Sequence, residues 1–270
     1  MSLWFAVVLG LVEGLTEFIP ISSTAHLRIT PTLLGQPDPG AAFAAVIQLG
    51  PLVAVCAYFA KDLFVTLPRA MIKAPRSPEG RLPWMIAVGT IPVVAAGLLL
   101  KHQIEGDFRS LYVVAGALVG VGLLMAYIDA RGAGQRGTFD LGWTDAILIG
   151  MAQACALVPG VSRSGATICM ALVLGMSRKE SARFSFLLGI PAIAGAGVFE
   201  LREIHLGGDA LMPVIVGTLV AAVSGYLSIA WLLKFLGTHR LRSFAVYRVI
   251  AGLVLLALLA SHVIAATAGQ

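Results

Sequence analysis

The sequence predicts an all-α integral membrane protein, with six transmembrane helices and two re-entrant helical hairpins arranged as an inverted repeat. Three observations carry this reading. Of the 270 residues, 58% are hydrophobic and 12% charged, with a mean hydropathy of +0.90; soluble chains are about 25% charged. Apolar runs near bilayer-spanning length recur along the whole chain. Two polar, proline-containing elbows, about 140 residues apart, each interrupt a pair of shorter apolar pieces. The short alternating segments that mark a β-barrel are missing.

Taken in order, the first hairpin pairs Leu3–Ile19 with Ser22–Leu34, both too short to span. Spans follow at Ala41–Ala60, Trp84–Leu100 and Leu111–Ile128. The second hairpin pairs Ala146–Val158 with Ala166–Met176, and spans follow at Phe184–Phe199, Leu211–Lys234 and Ala245–Ala266. Small residues in "AVGTIPVVAAG" and "LLGIPAIAGAG" suit close helix packing in a membrane. Broken backbone at membrane depth is tolerated only when buried in protein or lining a wet cavity, which fits the elbows.

Two echoes define the repeat. "PISST" (Pro20–Thr24) returns as "PGVSRS" (Pro159–Ser164), and "IQLGPLVAV" (Ile47–Val55) as "FLLGIPAIA" (Phe186–Ala194). Each half is one hairpin plus three spans, so the second copy is inverted. The chain reads as a single membrane domain, with repeat one over about 1–130 and repeat two over about 140–268. Inverted repeats place broken helices near the midplane, facing one another, so the elbows should meet.

Loop charge sets the orientation. Lys61–Pro83, Ser177–Arg183 and Lys234–Arg242 are net basic, whereas Glu200–Asp209 holds three acids and one Arg. Basic loops in the cytoplasm put both termini outside and bring the first hairpin in from the outer face. The net charge of +5 is spread over these loops and forms no nucleic-acid surface. Cys56, Cys155 and Cys169 lie singly in apolar surroundings, without disulfide or metal spacing. "MSLWFAVV" lacks the basic start of a cleavable signal peptide.

The chemistry concentrates in "EGLTEFIPISSTAH". Glu13 and Glu17 project from one face of a helix, one turn apart. An acid deep in a membrane helix costs roughly 2.5–3.5 kcal/mol. A merely structural acidic stripe would need a matching polar face, and the neighbouring residues supply none. Paired carboxylates here can hold a divalent cation, act as general base or orient a base. Pro20 breaks the helix, and Ser22, Ser23 and Thr24 open the next one as N-caps or as anion ligands. His26 lies within reach of Ser22 and Ser23, and hydroxyl, imidazole and carboxylates together suggest an activated nucleophile. In "PGVSRSGAT", Ser162, Arg163, Ser164 and Gly165 provide a guanidinium, hydroxyls and a helix N-terminus, a cradle for phosphate oxygens. The spacing is not that of a Walker loop.

These two stretches closely resemble the signature motifs of the undecaprenyl-pyrophosphate phosphatase family, the bacitracin-resistance type, and the similarity runs over essentially the whole chain, including "VIQLGPLVAV" and "RFSFLLGIP". The resemblance implies dephosphorylation of undecaprenyl diphosphate to the monophosphate at the outer face of a bacterial inner membrane, recycling the lipid carrier for cell-wall glycans. It implies dependence on Mg²⁺ or Ca²⁺, with the motif glutamates at Glu13 and Glu17, the hydroxyl run at Ser22–Thr24, the His at His26 and the Arg at Arg163. One departure is Ala25, where the family usually carries Gly.

The expected mechanism neutralises the diphosphate with Arg163, the elbow N–H groups and a cation on Glu13 and Glu17. Ser23 is the preferred nucleophile with His26 as base; His26 itself and a water stay open as nucleophiles. The expected partners are a prenyl diphosphate and membrane lipids, with homodimerisation left open. A secondary transporter or lipid-phosphate carrier shares the inverted repeat and a use for Arg163. It has no need of a hydroxyl–His pair beside two acids.

Overall fold

The computed structural model describes residues 1–105, 108, 110–200 and 211–264, and these are helical almost throughout. The helices are α1 Leu3–Phe18, α2 Ser23–Leu33, α3 Gly40–Ile47, α4 Leu49–Tyr58, α5 Leu67–Lys73, α6 Pro78–Leu99 and α7 Lys101–Glu105. Then come α8 Leu111–Ala130, α9 Trp143–Cys155, α10 Arg163–Val173, α11 Arg178–Glu200, α12 Leu211–Phe235 and α13 Arg242–Ala260. No strand is present among the described residues, beyond an isolated bridge between Arg136 and Met176.

Five helices are long and apolar enough to cross a membrane: α6, α8, α11, α12 and α13. A sixth candidate joins Phe43–Tyr58 to Asp62–Lys73 across a 66° bend. Large apolar side chains cover the outside, with Ile72 and Leu99 more than 80% exposed, while acids, hydroxyls and an arginine sit inside. That inverted distribution suits lipid as the surrounding solvent.

Several expected boundaries move. The span expected at Ala41–Ala60 is interrupted at Gln48, between α3 and α4, and ends at Tyr58. The expected Lys61–Pro83 loop is largely helical: a π-helical turn at Asp62–Thr66, then α5, then the start of α6. Two of its prolines fall in the first turns of helices: Pro68 of α5, directly after the π-helical turn, and Pro78 of α6, where the Ser77 side chain caps the N–H of Gly80, while Pro83 lies inside α6. The last span starts at Arg242 and stops at Ala260, short of Ala266. Helix α9 begins at Trp143, three residues before the expected Ala146, with Asp145 accepting from the N–H of Gly142 at 2.8 Å at its start. The acidic stretch after Glu200 lies outside the described residues.

The packing contacts come in matched pairs. Helix α1 lies on α12, where Gly10 meets Gly217, while α9 lies on α6, where Gly150 meets Gly89. A Cβ at Gly10 or Gly150 would overlap the opposing carbonyl, so only glycine permits this approach. Helices α8 and α13 pack through Gly122 against Ala245 and Gly252 against Ala115. Three arginines are matched to acids: Arg178 to Asp129 at 2.6 Å, Arg183 to Asp62 at 2.7 Å and Arg136 to Asp145 at 2.5 Å.

Candidate functional site

The buried face of α1 is the stripe Phe5, Leu9, Glu13 and Glu17, each one turn beyond the last. The two acids therefore continue an apolar seam into the interior. The helix ends at Phe18, and Ser22 then takes a positive φ of 78° before capping α2 through its side chain, which accepts from the N–H of Ala25. The second elbow repeats the device. Ser162 has φ 73° and caps α10 by accepting from the N–H of Gly165 at 3.1 Å. Non-glycine residues rarely hold such a φ, and strain of this kind concentrates at functional sites. Ala25, in place of the usual glycine, is fully buried and packs in the cluster of Leu111, Val114 and Leu118; its methyl group is accommodated.

The elbows meet. The N–H of Gly160 approaches Thr24 Oγ1 at 3.5 Å, and Ser164 Oγ donates to the carbonyl of Ile19 at 3.3 Å. Gly160 has φ 95° and lies so close to Val114 and Ala117 that a side chain would not fit. A third element locks the junction. Arg248 of α13 is 0% exposed, and its guanidinium donates to the carbonyls of Pro20 in one elbow and Gly160 and Val161 in the other, as well as to Ala117.

At the junction Glu17 is shared. Its Oε2 accepts from Ser23 Oγ at 2.5 Å, and its Oε1 accepts from Arg163 Nη2 at 2.9 Å. Arg163 keeps two buried donors, Nε and Nη1, without a protein partner. Gly189 on α11 makes room for it, since a Cβ there would overlap the guanidinium. Glu17, Ser23, Thr24, Gln153, Ser162 and Arg163 line a cavity of about 170 Å³. This is small beside the roughly 300–1,000 Å³ of drug-sized sites, and suits a compact polar group. Thr24, Gln48, Ala156 and Leu157 also wall a neighbouring groove of about 240 Å³, mostly apolar, bounded by Leu9, Leu27 and Phe43.

The expected Ser23–His26 pair is not made. Ser23 is turned to Glu17, whereas His26 Nδ1 bonds the carbonyl of Ser22 at 2.7 Å and Nε2 bonds Tyr247 Oη at 2.6 Å. A carbonyl only accepts, so Nδ1 carries a proton, and when the ring is neutral Nε2 accepts from the Tyr247 hydroxyl. His26 braces the strained turn from outside the cavity. The reason is helical spacing: one turn after Ser22, its ring folds back on the N-terminal carbonyl of α2.

Glu13 is 0% exposed, and neither carboxylate oxygen has a partner. Its neighbour Glu17 is engaged at both oxygens, and no three of His, Cys, Asp and Glu converge among the described residues. Two hard oxygen donors suit Mg²⁺ or Ca²⁺ if phosphate oxygens and water complete the shell, the usual arrangement for Mg²⁺. The donor set fits such an ion as a half-site.

Sequence reasoning placed Glu13, Glu17, Ser22–Thr24, Ser162, Arg163, Ser164 and Gly165 together, and the structure brings them together. It missed Arg248, Tyr247, Gln153 and Gly189. Arg248 had a readable signal, a lone cation inside the apolar run of the last span. Gln153 had another, a lone amide in the apolar stretch "GMAQACALVPG" just before the second elbow.

Residues 6–254 match the model of the family described as bacitracin resistance protein BacA. An undecaprenyl-diphosphatase of Myxococcus xanthus is 54% identical over 96% of this chain and 90% of its own length. One of Chlorobium phaeovibrioides is 48% identical over 97% and 98%, and one of a Nocardioides species 49% over 97% and 98%.

Proposed function

This chain belongs to the bacitracin resistance protein BacA family, and from that premise we propose that it hydrolyses undecaprenyl diphosphate to undecaprenyl phosphate and inorganic phosphate. It is a multi-pass bacterial membrane enzyme, an undecaprenyl-diphosphatase like its relatives. The observation that carries the mechanism is the shared carboxylate of Glu17, between Ser23 at 2.5 Å and Arg163 at 2.9 Å.

Ser23 Oγ attacks the terminal phosphorus and its proton passes to Glu17, the group it already touches. The bond from that phosphorus to the bridging oxygen breaks, and undecaprenyl phosphate leaves. Water then adds to the phosphorus of the phosphoserine, the bond from that phosphorus to Ser23 Oγ breaks, Oγ recovers its proton from Glu17, and the water's protons leave on inorganic phosphate. Arg163 holds Glu17 with Nη2 and offers Nε and Nη1 to the charge that builds on the phosphate. The backbone N–H groups opening α2 and α10 add to this field. Glu13 and Glu17 would hold a Mg²⁺ or Ca²⁺ ion, which neutralises diphosphate charge when bound. The prenyl chain leaves through the apolar groove beside Leu9, Leu27 and Phe43.

In this reading the fold is six spans and two re-entrant hairpins in inverted repeats. The matched glycine contacts and the twin strained caps at Ser22 and Ser162 support it. The basic loops face the cytoplasm, so the glutamate hairpin enters from, and the site opens to, the outer face. Phosphate release from undecaprenyl diphosphate by purified protein in detergent tests the activity where no gradient exists. Gradient-dependent movement of the lipid without release would favour a transporter.

A further inference from the structure

Gln153 is the cavity residue that the mechanism leaves unused. It lies on α9, is 1% exposed, and lines the cavity together with Ser23, Glu17 and Arg163. Neither its Nε2 nor its Oε1 has a hydrogen-bond partner. Buried amides are almost always paired, so an unpaired one lining the same cavity as Glu17, Ser23 and Arg163 marks a place kept for something that binds there. Its position has a second meaning. The α1 stripe Leu9–Glu13–Glu17 corresponds, about 140 residues on, to Ile149–Gln153–Leu157, and Ile149 is buried as Leu9 is. Gln153 is the counterpart of Glu13, with a neutral donor replacing an acid. The substitution of type matters, because a third carboxylate would repel the substrate and an amide N–H can donate to it.

Gln153 lines the cavity of Glu17, Ser23 and Arg163 but not the neighbouring groove; Thr24, Gln48, Ala156 and Leu157 line both. With the prenyl chain in the groove, the proximal phosphate lies near that wall and the terminal one lies deeper. We propose that Gln153 is a substrate-contacting residue whose Nε2–H donates to an oxygen of the terminal phosphate. This rests on the reading of the cavity as the diphosphate site.

The test compares wild type, Gln153→Met and Gln153→Glu, each checked for thermal stability in detergent, with Ser23→Ala and Arg163→Ala as controls. A lost hydrogen bond to a charged group corresponds to about a tenfold to hundredfold change. Gln153→Met should lower kcat/KM by that factor and raise the inhibition constant of inorganic phosphate in proportion. Inhibition by prenyl monophosphate, which lacks the terminal group, should stay within about twofold. Gln153→Glu should be at least as impaired, and it serves alone if the Met variant does not fold. Unchanged inhibition by inorganic phosphate, or an equal weakening by both inhibitors, overturns the assignment. If the two controls keep wild-type activity, it is the site reading that has failed; if they lose it and Gln153→Met does not, only this inference has.

Discussion

Ser23 and Glu17 are joined by a 2.5 Å hydrogen bond across the break between α1 and α2. They lie six positions apart in sequence, and the strained turn at Ser22 is what folds the hydroxyl back onto the acid. The carboxylate that receives this proton is itself held by Arg163 from the other half of the chain. Nucleophile, base and phosphate anchor thus form one unit assembled from two elbows.

Arg163→Ala should lower kcat by orders of magnitude, since it removes charge-assisted donors that strengthen as the phosphoryl group transfers. Arg163→Lys should rescue poorly, because an ammonium lacks the planar fork that holds Glu17 and phosphate together. Gly189→Ala should mimic the loss without touching the charge, by pushing the guanidinium from its slot. Steady-state phosphate release by folded variants measures all three; a wild-type rate for Gly189→Ala would contradict the packing argument.

His26 and Tyr247 should behave as a pair. Their 2.6 Å bond and the Nδ1 contact to Ser22 brace the turn. Tyr247→Phe should cost about 0.5–1.5 kcal/mol in transition-state terms, a few-fold to roughly tenfold in rate. In a His26→Ala background it should add little. Independent, multiplying losses would show that the two side chains act separately.

Glu13→Gln replaces a buried, ionisable carboxyl group whose oxygens have no protein partner by an amide that cannot ionise. If Glu13 and Glu17 hold a cation, activity should survive but require a much higher Mg²⁺ or Ca²⁺ concentration. A metal titration of phosphate release is the measurement, and an unchanged half-maximal concentration would take Glu13 out of metal binding.

Arg248→Met should unfold the junction before it alters the chemistry. It strands the carbonyls of Pro20, Gly160 and Val161, each orphaned group costing about 1–3 kcal/mol. Thermal unfolding in detergent should shift down clearly. An unchanged midpoint would mean that the elbows hold together without the clamp.

Much of this was legible because membrane burial makes polar residues conspicuous. Glu13, Glu17 and Arg163 stood out as charges in apolar sequence, and the repeated Pro and hydroxyl pattern located both elbows within a few residues. What sequence did not carry was rotamer and register. Nothing in "SSTAH" says that Ser23 turns back to Glu17 while His26 meets Tyr247, because the first goes with the positive φ at Ser22 and the second needs a partner from α13. The helicity of Lys61–Pro83 was hidden for a related reason: its prolines read as breakers, yet two of them sit in first turns. Arg248 and Gln153 were isolated polar residues whose partners come from distant segments.

The central claim is that Ser23 and Glu17 act as one nucleophile–base unit in a diphosphatase. The most direct test is phosphate release from undecaprenyl diphosphate by purified, folded Ser23→Ala, Glu17→Gln and the double variant. Each single change should lower kcat by about a hundredfold or more, and the double variant should be scarcely worse than either, as members of one unit are not additive. Losses that multiply in the double variant, or a wild-type rate from Ser23→Ala, would contradict the account.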